Sequence, residues 1–134
     1  MSAAANISES RPGTVGGVGV SGIVVSWPDK SLWPNGRSHW ATKAREAKKL
    51  RKEAAWATKA ASVRVGNSPI PVHITVCPKR TGPAPDADNC VAAAKHALDG
   101  IADALGVNDR NFAAPTVSIS ERRTGQFIIN IGSS

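Results

Sequence analysis

The segment Asp86-Ala87-Asp88-Asn89 places two carboxylates two positions apart, just ahead of a helical pattern. In an extended segment residues i and i+2 project to the same side, so both carboxylates can address one point. Such a pair can hold a hard cation such as Mg²⁺, which takes oxygen ligands and keeps waters for a substrate phosphate. The same two residues can instead cap the helix and complement its dipole, which is the commoner use when they are taken alone. Lys95 and Asp99 follow at i,i+4, an ion pair in the weaker orientation, and Asp109 stands in a loop after the helix. His39, His73 and His96 are scattered, and nothing calls for a Ser, Cys or His nucleophile. Cys77 and Cys90 form no Cys-x-x-Cys pair, so they read as reduced core residues of a cytosolic protein rather than zinc ligands.

The elements that must position these groups are legible from periodicity. Met1–Gly22 is rich in Ala, Ser and Gly and reads as a flexible tail, leaving residues 23–134 as one domain. Ile23–Trp27, ended by Pro28, suits a first strand, and Pro28–Ser38 a loop. From His39 to about Val63, Trp40, Ala44, Ala47, Leu50, Ala54, Ala57 and Ala61 recur at spacings of three and four and form one apolar stripe. Arg45, Lys48, Lys49, Lys52 and Lys59 fall within an arc of roughly 100° on the opposite side, with Trp56 among them. Lys43 and Arg51 flank the stripe.

Val72–Cys77 reads as a strand with Val72, Ile74 and Val76 on one face and His73, Thr75 and Cys77 on the other. A second helix is expected from Asp88 or Asn89 as cap, through the stripe Val91, Ala94, Leu98, Ile101 and Leu105, to Gly106 as its stop. Thr116–Ser120 and Phe127–Ile131 are strand-like, and Thr124-Gly125 between them marks a hairpin. The order β-α-β-α-β-β describes a single α+β domain with a small sheet packed on two helices. The four Trp are expected to sit singly.

Composition narrows the partners. The formal charge is +7, from 17 Lys and Arg against 10 Asp and Glu, which favours a polyanion. No apolar run approaches membrane-spanning length, and Met1–Pro12 has neither the basic start nor the apolar core of a secretion signal, so a cytoplasmic protein is expected.

Pro85-Asp86-Ala87-Asp88-Asn89, Lys95, and the run from Leu98-Asp99-Gly100 through Asn108-Asp109-Arg110-Asn111-Phe112 resemble the signature region of RusA-type Holliday junction resolvases. Pro34-Asn35-Gly36-Arg37-Ser38-His39-Trp40, followed by a Lys/Arg/Ala-rich helix, is similar to phage and prophage members, and the resemblance spans about Trp33 to Ile131. It implies a RusA-like fold and a homodimer. It implies a crossover junction endodeoxyribonuclease of DNA recombination and repair, bacterial or phage-encoded, acting on branched double-stranded DNA. Asp86, Asp88 and Asp109 would be the catalytic carboxylates holding Mg²⁺ or Mn²⁺, with Lys95 as the catalytic cation. Two departures stand out: Asn108 occupies the first position of a turn that often reads Asp-Asp, and Ala92 occupies the usual Lys position. They keep open a catalytically weak or inactive junction-binding protein as the alternative.

A helix from Asn89 to Leu105 would be about 25 Å long, and four residues beyond it reach at most about 14 Å. One chain would then struggle to bring Asp86, Asp88 and Asp109 to one metal. Two chains packed antiparallel through the Val91, Ala94, Leu98, Ile101 and Leu105 stripe would share two sites. Arg37, His39, Lys43, Arg45, Lys48, Lys49, Arg51, Lys52, Lys79 and Arg80 are the expected DNA contacts, to the backbone rather than to bases. A solvated helix face is the competing use of the same cations. Trp56 and Phe112 each stay open between a nucleic-acid contact and packing.

Overall fold

The computed structural model describes residues 21–35, 39–63, 65 and 69–132. The tail expected over residues 1–22 falls outside them except for Ser21 and Gly22, which open the first strand. In chain order the elements are β1 (Ser21–Ser26), α1 (Trp40–Ala60), β2 (Val72–Cys77), α2 (Ala87–Leu105), β3 (Thr116–Ile119) and β4 (Gln126–Ile131). Single 3-10 turns sit at Lys30–Leu32 and Asp109–Asn111. The α+β architecture is therefore a four-stranded sheet with two helices, which pack extensively on each other.

The sheet order is β1-β4-β2-β3, and the expected hairpin is absent. β4 pairs antiparallel with β1, from Ser21↔Ile131 to Ser26↔Gln126, and antiparallel with β2, from Val72↔Ile131 to Cys77↔Gln126. β3 lies on the other edge of β2, parallel to it, from His73↔Thr116 to Val76↔Ile119. β4, which carries Phe127, Ile128, Ile129 and Ile131, is thus paired on both edges. The link between β3 and β4 passes over the end of β2 and is tied there. Arg123 Nη1 donates to the carbonyls of Lys79 (2.8 Å) and Gly82 (3.0 Å), and Gly125 N donates to Pro78 O (3.0 Å). Local turn chemistry at Thr124-Gly125 is real, with Gly125 at φ 70°, but it serves a crossover.

Alternation along the strands sets the layers. Ile23, Val25, Val72, Ile74, Val76, Phe127, Ile129 and Ile131 are buried and meet Leu50 and Ala54 of α1 and Cys90, Ala94, Ala97 and Ile101 of α2. Each large side chain so buried contributes roughly 1.5–3 kcal/mol. Cys77 departs from its expected outer face and is buried as well. On the outer face His73 shares hydrogen bonds with Thr116 Oγ1 (2.6 Å) and Ser118 Oγ (2.9 Å), stitching β2 to the edge strand.

Two of the tryptophans are not isolated. Trp27 and Trp33 stack at 5.4 Å and both meet the edge of Phe127, while Trp33 Nε1 donates to Pro28 O (3.1 Å). This cluster anchors the loop between β1 and α1. The helix itself is fixed to β1 by Glu53, which accepts from Ser26 N (2.8 Å) and Ser26 Oγ (2.7 Å). Of the expected α1 stripe, Leu50 and Ala54 are buried, whereas Trp40, Ala44 and Ala61 are exposed because they overhang the core at either end. No described helix is long and apolar enough to cross a membrane.

Candidate functional site

Helix α2 starts two residues earlier than the periodicity suggests. Asp86 is its N-cap, with extended backbone and no side-chain capping hydrogen bond, and Asp88 is already in the first helical turn. The two carboxylates therefore do not belong to one extended run, and strand-like alternation cannot be the reason for them to converge. Both are exposed. Capping by side-chain hydrogen bond is not the role of Asp86; Asp88 is placed to complement the helix dipole.

At the other end Gly106 adopts the left-handed conformation (φ 71°), and Val107 N donates back to Ala102 O (3.1 Å). That geometry closes the helix and turns the chain back along it. Asp109 then opens a 3-10 turn whose cap is Asn108, with Oδ1 accepting from Arg110 N (3.0 Å). Asn108 has a structural occupation here that does not need a second carboxylate. Phe112 is pinned beside Ile70 by a short parallel bridge and is half-buried against the core, so it is held as an anchor.

The reversal puts Asp109 beside the middle of α2 rather than beyond its end. Lys95, Asp99 and Asp109 line two adjoining depressions. One, of about 300 Å³, is walled by Val91, Leu98, Phe112 and Pro115. The other, of about 350 Å³, is polar and adds Arg51, Asp103 and Asn108. Lys95 Nζ stands 3.9 Å from Asp99 Oδ1, and His96 Nδ1 stands 3.9 Å from Asp99 Oδ2. Burial holds the His96 imidazole below its ordinary range, with Lys95, Lys43 and Arg51 adding to the effect and Asp99 opposing it. Of the expected catalytic residues, then, Lys95 and Asp109 share one place, while Asp86 and Asp88 line neither depression. Among the described residues no three His, Cys, Asp or Glu side chains are grouped closely enough to hold a metal ion.

The expected DNA contacts divide into several groups. Arg45, Lys48, Lys49 and Lys52 are exposed on the outer face of α1, and Lys43 is exposed too. His39 is the N-cap of α1: Nδ1 accepts from Ala41 N (3.2 Å), and its ring lies tilted against Trp40. Arg51 is engaged elsewhere, donating from Nη2 to Asp103 Oδ1 (2.9 Å) and from Nε to Asp103 Oδ2. This two-point contact raises the arginine pKa and lowers that of Asp103. Lys79 and Arg80 are exposed in the loop after β2, and Arg37 lies outside the described residues.

Asp99 and Asp103 are the side chains that sequence reasoning undervalued. Their signal was the spacing itself: with Lys95 they fall at i, i+4 and i+8, one side of a helix. The expected dimer stripe also needs correction. Ala94 and Ile101 are wholly buried in their own chain, while Val91, Leu98 and Leu105 are half-buried. Those first two residues cannot meet a partner without opening the core.

No family model matches the chain. Among solved structures, IspF of Plasmodium falciparum in a CDP complex covers 84% of this chain and 92% of its own, at 11% identity and a TM-score of 0.32, a value that assigns no fold. An uncharacterized protein of Xylella fastidiosa (strain Temecula1 / ATCC 700964) is 34% identical over 117 residues, spanning 81% of this chain and 74% of that protein. That identity over that span places the chain in one family with the Xylella fastidiosa protein.

Proposed function

We propose that the chain is a structure-specific endonuclease that resolves four-way DNA junctions by paired phosphodiester cleavage, of the RusA type. The observation that supports it most is the meeting of Lys95 and Asp109 in one cavity on the helix that Asp86-Ala87-Asp88-Asn89 begins. The net charge of +7 suits a DNA substrate.

Among the described residues of one chain no three His, Cys, Asp or Glu side chains are grouped, and Asp86 and Asp88 line neither of the depressions that Asp109 lines. On this reading Mg²⁺ or Mn²⁺ is held at a site shared by two copies, in which Asp86 and Asp88 of one chain approach Asp109 of the other. The half-buried Val91 and Leu98, with Phe112 beside them, offer the two-fold contact that Ala94 and Ile101 cannot. Within each chain Lys95 is exposed at the cavity rim, where it can contact a phosphate oxygen.

The deciding experiment mixes Asp88→Asn with Asp109→Asn under exchange conditions, on a labelled four-way junction with Mg²⁺. Each variant alone is expected to be silent, and the mixture to nick through one intact shared site. No recovery rejects the shared site; no paired nicks from wild type reject the nuclease. One observation favours a second reading, a junction-binding protein without cleavage: Asn108, where an acid is expected, is spent on capping. A gel shift without nicks in the same assay would select it.

A further inference from the structure

Helix α1 turns Leu50, Ala54 and Thr58 into the protein. At about 100° per residue, Arg45, Lys48, Lys49, Lys52 and Lys59 point the opposite way, and all five are exposed. The two acids of α1 lie at the edge of this arc: Glu53 is bound to Ser26 of β1, Glu46 is partly buried, and of the five cations Lys49 alone shares a depression with both and with Asp29. Among the described residues only Arg45 of the five forms an ion pair, a loose one of 3.9 Å to Glu46. Within the arc sits Trp56, 76% exposed. No residue of the arc lines the Lys95–Asp109 depressions.

An indole surrounded by cations and exposed to water suits a partner that offers both flat rings and negative charge. A second copy presenting the same arc would set five cations against five, and the chain as a whole is strongly basic. A bilayer needs an apolar face, and that of α1 is already packed inside. Single-stranded nucleic acid meets both demands, because its phosphates follow a basic track and any base can stack on an aromatic ring. The track from Arg45 to Lys59 is about 21 Å long at 1.5 Å per residue. A paired duplex keeps its bases stacked and offers Trp56 no ring face.

We propose that the outer face of α1 is a binding surface for single-stranded nucleic acid, with Trp56 as its base-stacking platform. This rests on the nucleic-acid reading of the charge, but not on cleavage, and it uses a face separate from the Lys95–Asp109 cavity.

The test measures wild type, Trp56→Ala and Trp56→Phe in EDTA, by anisotropy, on a labelled single strand and on a blunt duplex of the same sequence. A parallel single strand carries 2-aminopurine as a stacking reporter. Trp56→Ala is expected to weaken single-strand binding about tenfold, to shift duplex binding by less than about twofold and to abolish the reporter change. Trp56→Phe is expected to restore most of the affinity. Lys52→Gln should lower the slope of log affinity against log salt by about 0.7 on the single strand. Equal losses on both substrates, or no loss, overturn the proposal. So does a Trp56→Ala protein whose sedimentation changes while its single-strand affinity does not. Binding to phosphatidylserine vesicles that requires Trp56, with no single-strand binding, overturns it in favour of a membrane surface. With no divalent ion present, junction cleavage can fail while this surface stands, and the reverse.

Discussion

Gly100 of α2 lies directly against the backbone of Arg51 in α1. A Cβ built on it would overlap the Arg51 carbonyl oxygen and stand 2.9 Å from the carbonyl carbon. Backbone meets backbone there, so no side-chain rotation can make room. The crossing fixes how α1 and α2 pack, and it also places Arg51 where its guanidinium reaches Asp103.

At an open helical site Gly→Ala gains about 1 kcal/mol of helix propensity. For Gly100→Ala the sign reverses, because the helices must separate to admit the methyl group, and overpacking of this kind costs about 1–3 kcal/mol. A lower midpoint in urea unfolding, with unchanged slope, is the expected result. A more stable variant would show that the two helices do not cross here.

Acid should destabilise the protein in two stages. The folded state holds His96 below its ordinary 6.5 by burial, so the unfolded chain binds that proton first and stability falls as pH drops below about 6.5. Asp29, held down by hydrogen bonds from Ser31 N and Oγ, and Asp103, held down by Arg51, contribute stability above the ordinary carboxylate value of 3.8. That contribution is lost as pH falls through their lowered folded values. Urea midpoints against pH should show both stages, and His96→Gln should remove the upper one alone. An unchanged upper stage in that variant would assign it to another group.

The Cys90 thiol is pushed up to about 11, chiefly by burial and further by the nearby charge of Asp86. At pH 8 roughly one thiol in a thousand would be ionised, and none is reachable without opening the fold. Alkylation of Cys90 should therefore track unfolding, with rates rising together across a urea titration. Full labelling of the native protein at pH 8 would contradict its position in the core.

If the cavity is the cutting site, Asp109→Asn should retain junction binding within a few-fold while losing cleavage by roughly 10²–10³-fold, the scale on which loss of one preorganised electrostatic group lowers kcat. Lys95→Ala should lower cleavage and weaken binding modestly, since one phosphate contact is lost. Gel shift and nicking on the same junction measure both. Cleavage surviving in Asp109→Asn would move the chemistry elsewhere.

The local elements were legible from sequence because their causes are local. Period-2 alternation located β2 at its observed bounds, Gly106 stopped α2 through its left-handed backbone, and the basic arc of α1 followed from helical spacing. The type and order of the elements, and hence the α+β class, followed from the same patterns. The pairing of strands did not. Thr124-Gly125 has the chemistry of a hairpin turn, yet β2 lies between β3 and β4, because strand partners are chosen over long range and local turn chemistry does not encode them. The same limit applied to the candidate site. The family resemblance named Asp86, Asp88, Lys95 and Asp109, but only the chain reversal at Gly106 decided that Asp109 joins Lys95 and Asp99 while the first two stand apart. A free arginine and an Asp-paired one look alike in a sequence, as do a stripe that faces a partner and one that faces its own sheet. Those distinctions depend on distances between segments far apart in the chain, which only the folded structure supplies.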